Sequence, residues 1–506
     1  MEFCHKKNSP GDVRLVTFNV NGIKTFFQYH PFNKMHNSLE LVFDFFNADI
    51  ITFQELKTSK DIIYKWGKIN GYHSFITIPK SKRGYSGVGC WIKKITDVKN
   101  PLYNILQVVK AEEGITGYLN VPNNSSGSAK TYRQDPSSSL GGYEKIDDAI
   151  FGDIDTLLKL DQEGRCVMIE LSCNTIIISC YCPANSMRTE VGESFRMNFL
   201  KVLFQRIRNF YTMGKNVILM GDINVARDII DSAESMDTFI IPKNRGLNEN
   251  DFINYINKTT PSRKLFNSQL IDSKLPSENS ILLDSTRYIQ GYQRLKMYTV
   301  WNTILNTRPI NYGTRLDYIL VTKNLRDDLQ NADICPEILG SDHCPVFADI
   351  ALKPKPDCNS VPDNGLPPQT PKLECKYYYK LGTSDITTMF SKLQRGTTPT
   401  ASKTKSNSKK VGKPIRIDGF FKTGKTKSIA NIHKLIKTNK NPPMMPRETL
   451  KQQQLGMFDK NDIPLCKHGE KATLKTSKTD KNPGKKFWAC SQPPNASCGY
   501  FQWAPT

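Results

Sequence analysis

The sequence predicts a large α/β domain followed by a basic linker and a small terminal module. Short apolar, β-branched runs alternate with amphipathic helical stretches from residue 13 to about residue 354, which is the pattern of an α/β domain. Prolines then cluster after Ala351, and aromatic, Cys and His residues return only near the C-terminus. We therefore expect three parts, residues 1–352, 353–460 and 461–506.

The strands of the first domain are predicted where Val, Ile and Leu dominate short runs. These runs are residues 13–18, 50–53, 167–171, 176–180, 217–220 and 318–321. A helix is predicted before the fifth run, because apolar residues recur there at spacings of three and four and so form one face. They are Phe195, Phe199, Leu203, Ile207 and Phe210.

The net charge of the 506 residues is +22, from 70 Lys and Arg against 48 Asp and Glu. A surplus of this size indicates a polyanionic partner, and nucleic acid is the first expectation. Residues 361–506 hold 27 of the basic and 9 of the acidic residues, whereas residues 1–360 hold 43 and 39. Most of the surplus therefore lies in the linker and the terminal module, and the linker is too polar to fold alone.

The N-terminal residues contain no apolar run of the kind that a signal peptide needs. No stretch of the sequence approaches the roughly 18 apolar residues of a membrane span. The 13 cysteines are an odd number scattered along a long chain, which favours free thiols and metal ligands over a disulfide framework. We expect a soluble, intracellular monomer with no membrane partner.

Polar side chains of the metal-ligand and acid/base types follow most of the predicted strands at once, and three more, Asp317, Asp342 and His343, come later in GTRLDYIL and GSDHCPV. Taken singly, each is more often a turn or cap residue, or for the tyrosine a core aromatic. Because the ends of neighbouring strands converge on one crevice of an α/β sheet, we expect these side chains to form one site. They are Asn19, Asn21, Glu55, Tyr181, Asp222, Asn224, Asp317, Asp342 and His343.

The donor types in this set indicate a hard divalent cation. Glu55, Asp222 and Asp342 supply carboxylate oxygens, and the asparagines supply amides, which suits Mg²⁺ or Mn²⁺ rather than zinc. A divalent metal beside carboxylates, a His and a Tyr is what phosphodiester hydrolysis requires. Asp317 is the candidate for fixing the tautomer of His343 and favouring its protonated form.

Seven segments in this order identify a resemblance. They are RLVTFNVNGIKT, DIITFQELK, KRGYSGVGCWIKK, SCYCPAN, VILMGDINVARD, GTRLDYILV and LGSDHCPVFADI. Over about residues 13–352 the chain resembles the exonuclease III family of abasic-site (AP) endonucleases, within the endonuclease/exonuclease/phosphatase superfamily. The resemblance implies a four-layer α/β sandwich, dependence on Mg²⁺ or Mn²⁺, and incision of DNA 5′ to abasic sites in base excision repair. It also implies 3′–5′ exonuclease and 3′-phosphodiesterase activities.

The same resemblance assigns roles to the predicted site residues. Glu55 matches the principal metal ligand and Asp342 a second carboxylate near that ion, while Asn19 holds the metal or Asp222. Asp222 matches the residue that activates water, and Asn224 stabilises the transition state and lies among the metal-site residues. His343 matches the phosphate-contacting acid/base histidine, oriented by Asp317, and Tyr181 the active-site tyrosine.

Three positions depart from the family pattern. Asn21, which we expect to contact DNA, stands where relatives carry an acid, so metal binding is expected to be weaker or different in geometry. The segment after Tyr181 is one residue longer before Asn185, which puts a phosphate contact by that residue in doubt. Thr314 stands where relatives often have Trp, and a more open pocket would favour the exonuclease and 3′-repair activities.

The terminal module carries four residues with the spacing of a structural zinc site. Three thiols and one imidazole make a closed tetrahedral Zn²⁺ site, and so small a module needs such a staple to fold. The ligands are Cys466, His468, Cys490 and Cys498. The alternative is that these cysteines are reduced buried thiols.

The module resembles a GRF-type zinc finger through PLCKHGEKATLKTS, NPGKKFWAC and CGYFQW, with lysines in place of the name-giving arginine. Lysines among exposed aromatic rings are typical of single-stranded DNA binding. The residues expected to contact DNA are Lys485, Lys486, Phe487 and Trp488.

This order of domains resembles the second type of eukaryotic AP endonuclease, whose members bind the replication sliding clamp, PCNA. Ile417, Phe420 and Phe421 partly match a clamp-binding box, and Gln452, Leu455 and Phe458 match it less well. The lysine-rich linker is compatible with nuclear import, so nuclear localisation is expected. Two alternatives stay open: another phosphoesterase of the superfamily, and a catalytically weak scaffold recruited through the finger and the clamp.

Overall fold

A computed structural model describes most of the chain outside the linker. It covers residues 3, 5–122, 129–150, 153–186, 189–243, 250–251, 253–254, 258, 260–274, 276–355, 370–381, 464–466, 468–477, 486–492 and 498–503. The chain divides into two compact units, Met1–Ala401 and Ser402–Thr506, which are described separately. The candidate clamp-binding residues Ile417, Phe420 and Phe421 lie outside the described residues, as do Gln452, Leu455 and Phe458.

The described residues of the first unit contain two large sheets, a short two-stranded ribbon and several α-helices. Its strands are β1 Val13–Asn19, β2 Ile50–Gln54, β3 Tyr72–Thr77, β4 Val88–Lys93, β5 Val108–Glu113, β6 Cys166–Leu171, β7 Thr175–Tyr181, β8 Asn216–Asp222, β9 Leu282–Asp284, β10 Val300–Trp301, β11 Gly313–Thr314, β12 Asp317–Thr322, β13 Leu329–Ile334 and β14 Val346–Ile350. Its helices are α1 Leu39–Phe46, α2 Tyr64–Gly67, α3 Tyr103–Leu106, α4 Ile154–Asp161, α5 Glu190–Thr212, α6 Ala233–Lys243, α7 Pro261–Asn267, α8 Ser285–Gln290 and α9 Cys375–Tyr378. Within the described part of the chain, no helix combines the length and the apolar character needed to cross a bilayer.

The two large sheets pack face to face and form the centre of four layers. Their strand orders are β13-β14-β1-β2-β4-β3 and β5-β6-β7-β8-β12-β9. Apolar side chains from both sheets, such as Leu15 and Ile177, share one buried cluster, while α1 and α5 cover the outer faces with separate clusters. The predicted four-layer α/β sandwich is confirmed, and each of the six predicted strands is present.

Helix α5 shows how the predicted periodicity becomes a layer. Its N-terminus is capped by Thr189, whose hydroxyl accepts a hydrogen bond from the Gly192 amide, and Glu190 in the first turn favours the helix dipole. The predicted apolar face buries Phe199, Leu203 and Phe210 against the second sheet. This confirms that the face belongs to the core.

Strand directions bring the functional segments to one edge of the sandwich. β1 runs parallel to β2, and β7 runs parallel to β8, so the C-terminal ends of each pair lie side by side. β12 is antiparallel to β8 and β14 is antiparallel to β1, so the residues at and before their N-termini reach the same edge. Residues that are far apart in sequence therefore meet there.

Residues 370–381, here called the strap, pack on the first unit although they lie inside the predicted linker. Leu373 and Cys375 are buried in the apolar clusters, and Tyr379 donates a hydrogen bond to the Ile76 carbonyl. Glu374 pairs with His73 at 3.1 Å and with Lys94 at 3.4 Å. The prediction of a flexible linker over 353–460 is therefore wrong for the strap, because a few apolar residues in a polar stretch suffice when a preformed surface receives them.

Truncation tests the contribution of the strap to stability. A chain ending at residue 355 should unfold at lower urea concentration than one ending at residue 386, because burial of Leu373 alone contributes about 1.5–3 kcal/mol. Equal midpoints for the two truncated chains in urea denaturation would show that the strap does not stabilise the domain. The full chain with Lys376→Ala, an exposed change in the same segment, is the control.

The second unit is a small three-stranded antiparallel sheet. Its strands are β15 Thr473–Thr476, β16 Lys486–Ala489 and β17 Phe501–Trp503. β16 lies in the middle, with Leu474 and Gln502 opposite Trp488 on the two neighbouring strands. The sheet offers few apolar residues for a core, so a metal is expected to supply much of its stability.

Candidate active site and zinc site

Tyr181, Asp222 and Asp317 form one row across three neighbouring strands. Tyr181 of β7 lies opposite Asp222 of β8, and Asp222 lies opposite Asp317 of β12. Asp222 and Asp317 are buried at 1% exposure each, and Tyr181 is 9% exposed. Because directly paired residues point to the same face of a sheet, the register alone places three predicted functional groups side by side.

Asn19 connects the two carboxylates at the centre of the site. Its Nδ2 donates to Oε1 of Glu55 at 2.9 Å and to Oδ2 of Asp222 at 3.0 Å, and its Oδ1 accepts from the Asn21 amide at 3.1 Å. Because the amide nitrogen faces the carboxylates, the Asn19 oxygen is not directed at a cation between them. This arrangement favours Asn19 as the residue that positions Glu55 and Asp222, rather than as the metal ligand that the sequence analysis also considers.

The turns that carry the functional side chains have unusual backbone conformations. The backbone φ angles are 45° at Asn21, 51° at Glu55 and 55° at Asn224. Residues other than glycine rarely adopt this left-handed conformation. Gly221 precedes Asp222 with φ of 143°, and a Cβ there would lie 1.9 Å from the Cys180 carbonyl oxygen. The glycine of the GDIN motif is thus required by close packing, and strained turns of this kind are typical of functional sites.

His343 is held in one orientation by Asp317. Nδ1 of His343 lies 2.8 Å from Oδ2 of Asp317, and Thr299 Oγ1 donates to the same oxygen at 2.6 Å. Burial alone would lower the pKa of His343, but the charge and hydrogen bond of Asp317, with Asp222 and Asp342, raise that pKa to about 10. The pair leaves Nε2 of a charged imidazolium as the donor toward the site.

The pKa of Asp222 is also raised, but here burial favours the increase instead of opposing it. Burial, followed by the charge of Asp317, raises the pKa of Asp222 to about 8, although His343 and a hydrogen bond from Asn19 oppose the shift. The Asn224 amide donates to its Oδ1 at 2.9 Å. A carboxylate whose proton affinity is raised is suited to accepting a proton from water, and a bound cation beside it would lower the pKa again.

Tyr181 and Glu55 lie beside Asp222 in the site. Burial, then the charges of Glu55 and Asp222, raise the pKa of Tyr181, so its hydroxyl stays protonated and can donate. The Arg165 guanidinium lies 4.8 Å from the centre of the Tyr181 ring. Burial of Glu55 opposes ionisation, but hydrogen bonds from Lys57 and Asn19 lower its pKa, and Lys57 Nζ lies 2.9 Å from Oε2.

Asp342 and Asn21 lie together next to Glu55 and Lys57. Asn21 Nδ2 donates to Oδ1 of Asp342 at 2.9 Å, and the Ser341 hydroxyl donates to the same oxygen at 3.0 Å. Lys57 also contacts the Asn21 side-chain oxygen. All nine predicted residues of the catalytic site are therefore linked at one edge of the sandwich.

The donor set fits a divalent cation. Ligand atoms of Glu55, Asp222 and His343 all lie within 4.8 Å of one another, and Asp342 is linked to Glu55 through Asn21 and Lys57. Two carboxylates in a buried polar site suit a hard ion, whereas the three thiols of the finger suit zinc. Glu55 and Asp222 present carboxylate oxygens in this cluster. The side-chain nitrogens of Asn19 and Asn224 instead donate to Asp222, so the full ligand set stays a prediction.

Asn185 is bonded to the residues at the start of α5. Its Oδ1 accepts from the Thr189 amide at 3.1 Å, and its Nδ2 donates to the Thr189 carbonyl and to Glu193. These bonds fasten the start of α5. Asn185 therefore has a structural function in this chain.

Sequence reasoning did not identify Lys57, Thr299 or Arg165. Lys57 follows Glu55 by two residues, so its position in the motif is a signal that could have identified it. Thr299 and Arg165 carry no local signal, because Thr299 reaches Asp317 from the adjoining ribbon and Arg165 reaches Tyr181 from the neighbouring strand pair. Long-range pairing decides both contacts.

The second unit brings the four predicted zinc ligands together. The ligand atoms of Cys466, His468, Cys490 and Cys498 all lie within 4.8 Å of one another, and His468 Nδ1 is 3.5 Å from the Cys490 sulfur. A hydrogen bond from the Cys498 amide, followed by other local donors, lowers the pKa of Cys490 to about 6. A thiol that is easily deprotonated is ready for metal binding.

The predicted DNA contacts of the finger need one correction. Trp488 is 7% exposed and belongs to the interior of the module, so its ring has no free face for a base. Phe487 instead lies on the other face of β16, with its ring 4.8 Å from that of Phe501. Lys486 is exposed, and Lys485 lies outside the described residues. Alternation along β16 explains the error, since neighbouring residues of a strand point to opposite faces.

Removal of a zinc ligand should unfold the finger alone. We expect the full chain to hold one zinc and Cys490→Ser to lose it, because a site of this size owes its fold to the metal. Zinc content by atomic absorption, with circular dichroism of the finger, measures this. Cys173→Ser, which changes a buried thiol outside the cluster, should keep the zinc, and equal zinc content in both variants would refute the assignment.

Comparisons with known proteins agree with the geometry. Residues 16–343 match the Endonuclease/Exonuclease/phosphatase family, and residues 464–506 match the GRF zinc finger. The chain belongs to the Endonuclease/Exonuclease/phosphatase family, with a GRF zinc finger at its C-terminal end. Nucleases of this family depend on a divalent metal, and this finger type binds zinc.

Several relatives match along nearly the whole chain. The Saccharomyces cerevisiae protein named DNA-(apurinic or apyrimidinic site) endonuclease 2 is 47% identical over 524 residues, with 98% of each chain covered. The human protein of that name is 26% identical, with 97% of this chain and 99% of its own length covered. The crystal structure of the Xenopus laevis APE2 catalytic domain is similar with a TM-score of 0.53 and 25% identity, covering 72% of this chain and 97% of that one. The predicted resemblance is confirmed.

Proposed function

We propose that the protein is a metal-dependent DNA-repair nuclease that hydrolyses the phosphodiester 5′ to an abasic site. The observation that carries this proposal is the contact of Asn19 with both Glu55 and Asp222, beside a His343 that Asp317 orients. Such a site contains a carboxylate with raised proton affinity and an imidazolium donor within one small volume. The match over nearly the whole chain to relatives named DNA-(apurinic or apyrimidinic site) endonuclease 2 supports DNA as the substrate.

Each residue has a defined task in the hydrolysis. Asp222, held by Asn19 and Asn224, accepts the proton of the attacking water. His343 donates from Nε2 to a phosphate oxygen, because Asp317 occupies Nδ1 and stabilises the charged ring. Tyr181 donates its hydroxyl proton in a hydrogen bond to the same phosphate or to the departing oxygen, since its raised pKa keeps it protonated.

The metal site is proposed to contain Glu55, with Asp222 and His343 close by. Asp342 is proposed as a second carboxylate, because Asn21 and Lys57 link it to Glu55. Mg²⁺ or Mn²⁺ bound there would neutralise the phosphate oxygens and stabilise the departing oxyanion. Asn21 takes the place of a carboxylate and donates to Asp342. This replacement removes one negative charge from the site, which should weaken the affinity for the ion.

The 3′–5′ exonuclease and 3′-phosphodiesterase activities are part of the proposal because of Thr314. β11 carries Thr314 beside Val300, and Val300 pairs in turn with His343. A short side chain in this wall gives less stacking for an extruded abasic sugar and more room for a strand end. We therefore expect end resection to be strong relative to internal incision.

The finger is proposed to bind single-stranded DNA. Phe487 and Phe501 present adjoining rings, and Lys475 lies opposite Phe487 in the register and so points to the same face. In single-stranded DNA-binding surfaces of this kind, aromatic rings stack on bases and a lysine binds a phosphate. Binding to PCNA through Ile417, Phe420 and Phe421, and action in the nucleus, are further expectations of the proposed repair function.

An incision assay tests the proposal. Purified full-length protein with Mg²⁺ or Mn²⁺ should cut a labelled duplex 5′ to an internal abasic site, and should also process recessed and blocked 3′ ends. Absence of all three activities would leave the scaffold alternative, in which the finger and the clamp motif recruit an inert domain. Hydrolysis of phosphoinositides or RNA in preference to the DNA substrates would favour another phosphoesterase of the family.

A further inference from the structure

The strap forms one wall of a cleft of about 440 Å³ at the surface of the first unit. Tyr378 and Tyr379 of the strap line this wall, with their rings 4.6 Å apart. Residues of two loops, 58–61 and 78–83, form the remaining lining together with Glu113. The strap lies beyond the residues 16–343 that match the family, so this wall comes from a part of the chain outside the matched domain.

The cleft carries a surplus of positive charge. Lys60, Lys80, Lys82 and Arg83 line it, against Asp61 and Glu113. Glu113 is buried and already bonded, because Thr77, Lys80 and Tyr378 all contact its carboxylate at 2.9 to 3.2 Å. Lys82 pairs loosely with Glu163 at 3.4 Å, so Lys60 and Arg83 remain as the clearest exposed cations.

The residues next to both loops of the cleft contact the catalytic site. The amides of Leu56 and Lys57, next to the metal-site residue Glu55, donate to the carbonyls of Gly87 and Ser86, and Lys57 contacts Glu55 directly. On the other side, Arg165 stacks on both Tyr85 and Tyr181. The cleft therefore adjoins the catalytic edge of the sandwich, a few residues from the reacting groups.

We propose that this cleft binds the DNA strand that leaves the catalytic site, with phosphates on Lys60 and Arg83 and a base on the ring of Tyr378. Cations interleaved with aromatic rings bind single strands in this way. The strap thereby becomes part of the substrate-binding surface. This inference deepens the proposed nuclease function and rests on it.

Salt dependence tests the phosphate contacts. The full-length double variant Lys60→Ala/Arg83→Ala should bind DNA with a shallower salt slope than wild type, because it lacks two of the proposed phosphate contacts. Loss of two phosphate contacts lowers the slope of log Kd against log salt concentration by about 1.4–1.8. The ratio of the Kd of the variant to that of wild type should therefore fall roughly tenfold between 50 and 200 mM salt. Lys99→Ala/Lys323→Ala, at the opposite edge of the sandwich, is the control of equal charge.

Photo-crosslinking tests the aromatic contact without cleavage. A phosphorothioate single strand carrying 5-iododeoxyuridine should crosslink to Tyr378, identified by peptide mapping, and the crosslink should persist in Tyr378→Phe and vanish in Tyr378→Leu. Crosslinks only to the finger, or equal salt slopes in the cleft and control variants, would overturn the inference. An inactive wild type that still crosslinks at Tyr378 would refute the proposed catalysis but not the cleft.

Discussion

Exchange of Asp222 for Asn is expected to lower kcat for strand incision by about 10²- to 10⁴-fold while the protein stays folded. Asp222 accepts hydrogen bonds from Asn19, from the Asn224 side chain and from the Asn224 amide. An amide of the same shape cannot take a proton from water, and its NH₂ group would face these donors. Both changes act on the step that creates the nucleophile.

The measurement is single-turnover incision of an abasic duplex at saturating protein, with a urea denaturation curve for each variant. Asp228→Asn is the matched control, because Asp228 lies in the same loop but caps the following turn through the Ile229 amide. We expect the control to stay within a few-fold of wild type. Comparable rates for Asp222→Asn and wild type would exclude Asp222 as the general base.

Replacement of Arg315 by Met should reduce the free energy of unfolding by about 3–5 kcal/mol, because it leaves two buried carboxylates short of a partner. Arg315 is fully buried and bonds Asp231 at 2.8 Å and Asp284 at 2.7 Å. Arg287 and Arg227 also contact these acids, but they cannot reach the vacated positions without disturbing α8 and the loop after β8. Urea denaturation at pH 7 measures the loss.

The dependence of this loss on pH follows from the carboxyl groups. Burial opposes ionisation of Asp231 and Asp284, but the Arg315 charge lowers the pKa of both. Groups with a lowered pKa contribute stability above their unfolded-state pKa and lose it as pH falls through the folded-state value. The difference between wild type and Arg315→Met should therefore stay constant from pH 7 to about 5 and narrow below about pH 4.

A surface pair provides the control for this prediction. Arg294→Met breaks the contact with Asp333, where the Arg294 side chain is 38% exposed. Exposed pairs contribute at most about 1 kcal/mol, so this variant should be nearly as stable as wild type. Equal losses in the two arginine variants would mean that the buried network is not the cause.

The edge of the sandwich could be predicted from the sequence because its chemistry lies at strand ends. Most functional residues follow or begin an apolar run, as Asp222 follows VILMG and Asp317 opens DYILV, so strand prediction also located most of the site. The zinc ligands could also be predicted from the sequence, since residue type and spacing nearly determine such a site. Local signals were sufficient in both cases.

Other features depend on contacts that no local pattern encodes. The strap lies in a polar, proline-rich stretch, and only the surface around His73 and Ile76 gives its few apolar residues a place to pack. The burial of Trp488 depends on which face of β16 is covered. The interaction of Thr299 with Asp317 exists because a two-stranded ribbon folds back on the site.

Because Tyr181, Asp222 and Asp317 form one row across three strands, enzymatic activity depends on the correct register of these strands. Side chains alternate along a strand, so a slip of β8 by one residue would put Gly221 into the row and turn Asp222 to the opposite face. Such a chain would keep its sheet content in circular dichroism yet lack the central carboxylate. The specific activity of a refolded preparation therefore counts the molecules whose strands paired in register, which spectroscopy of secondary structure does not distinguish.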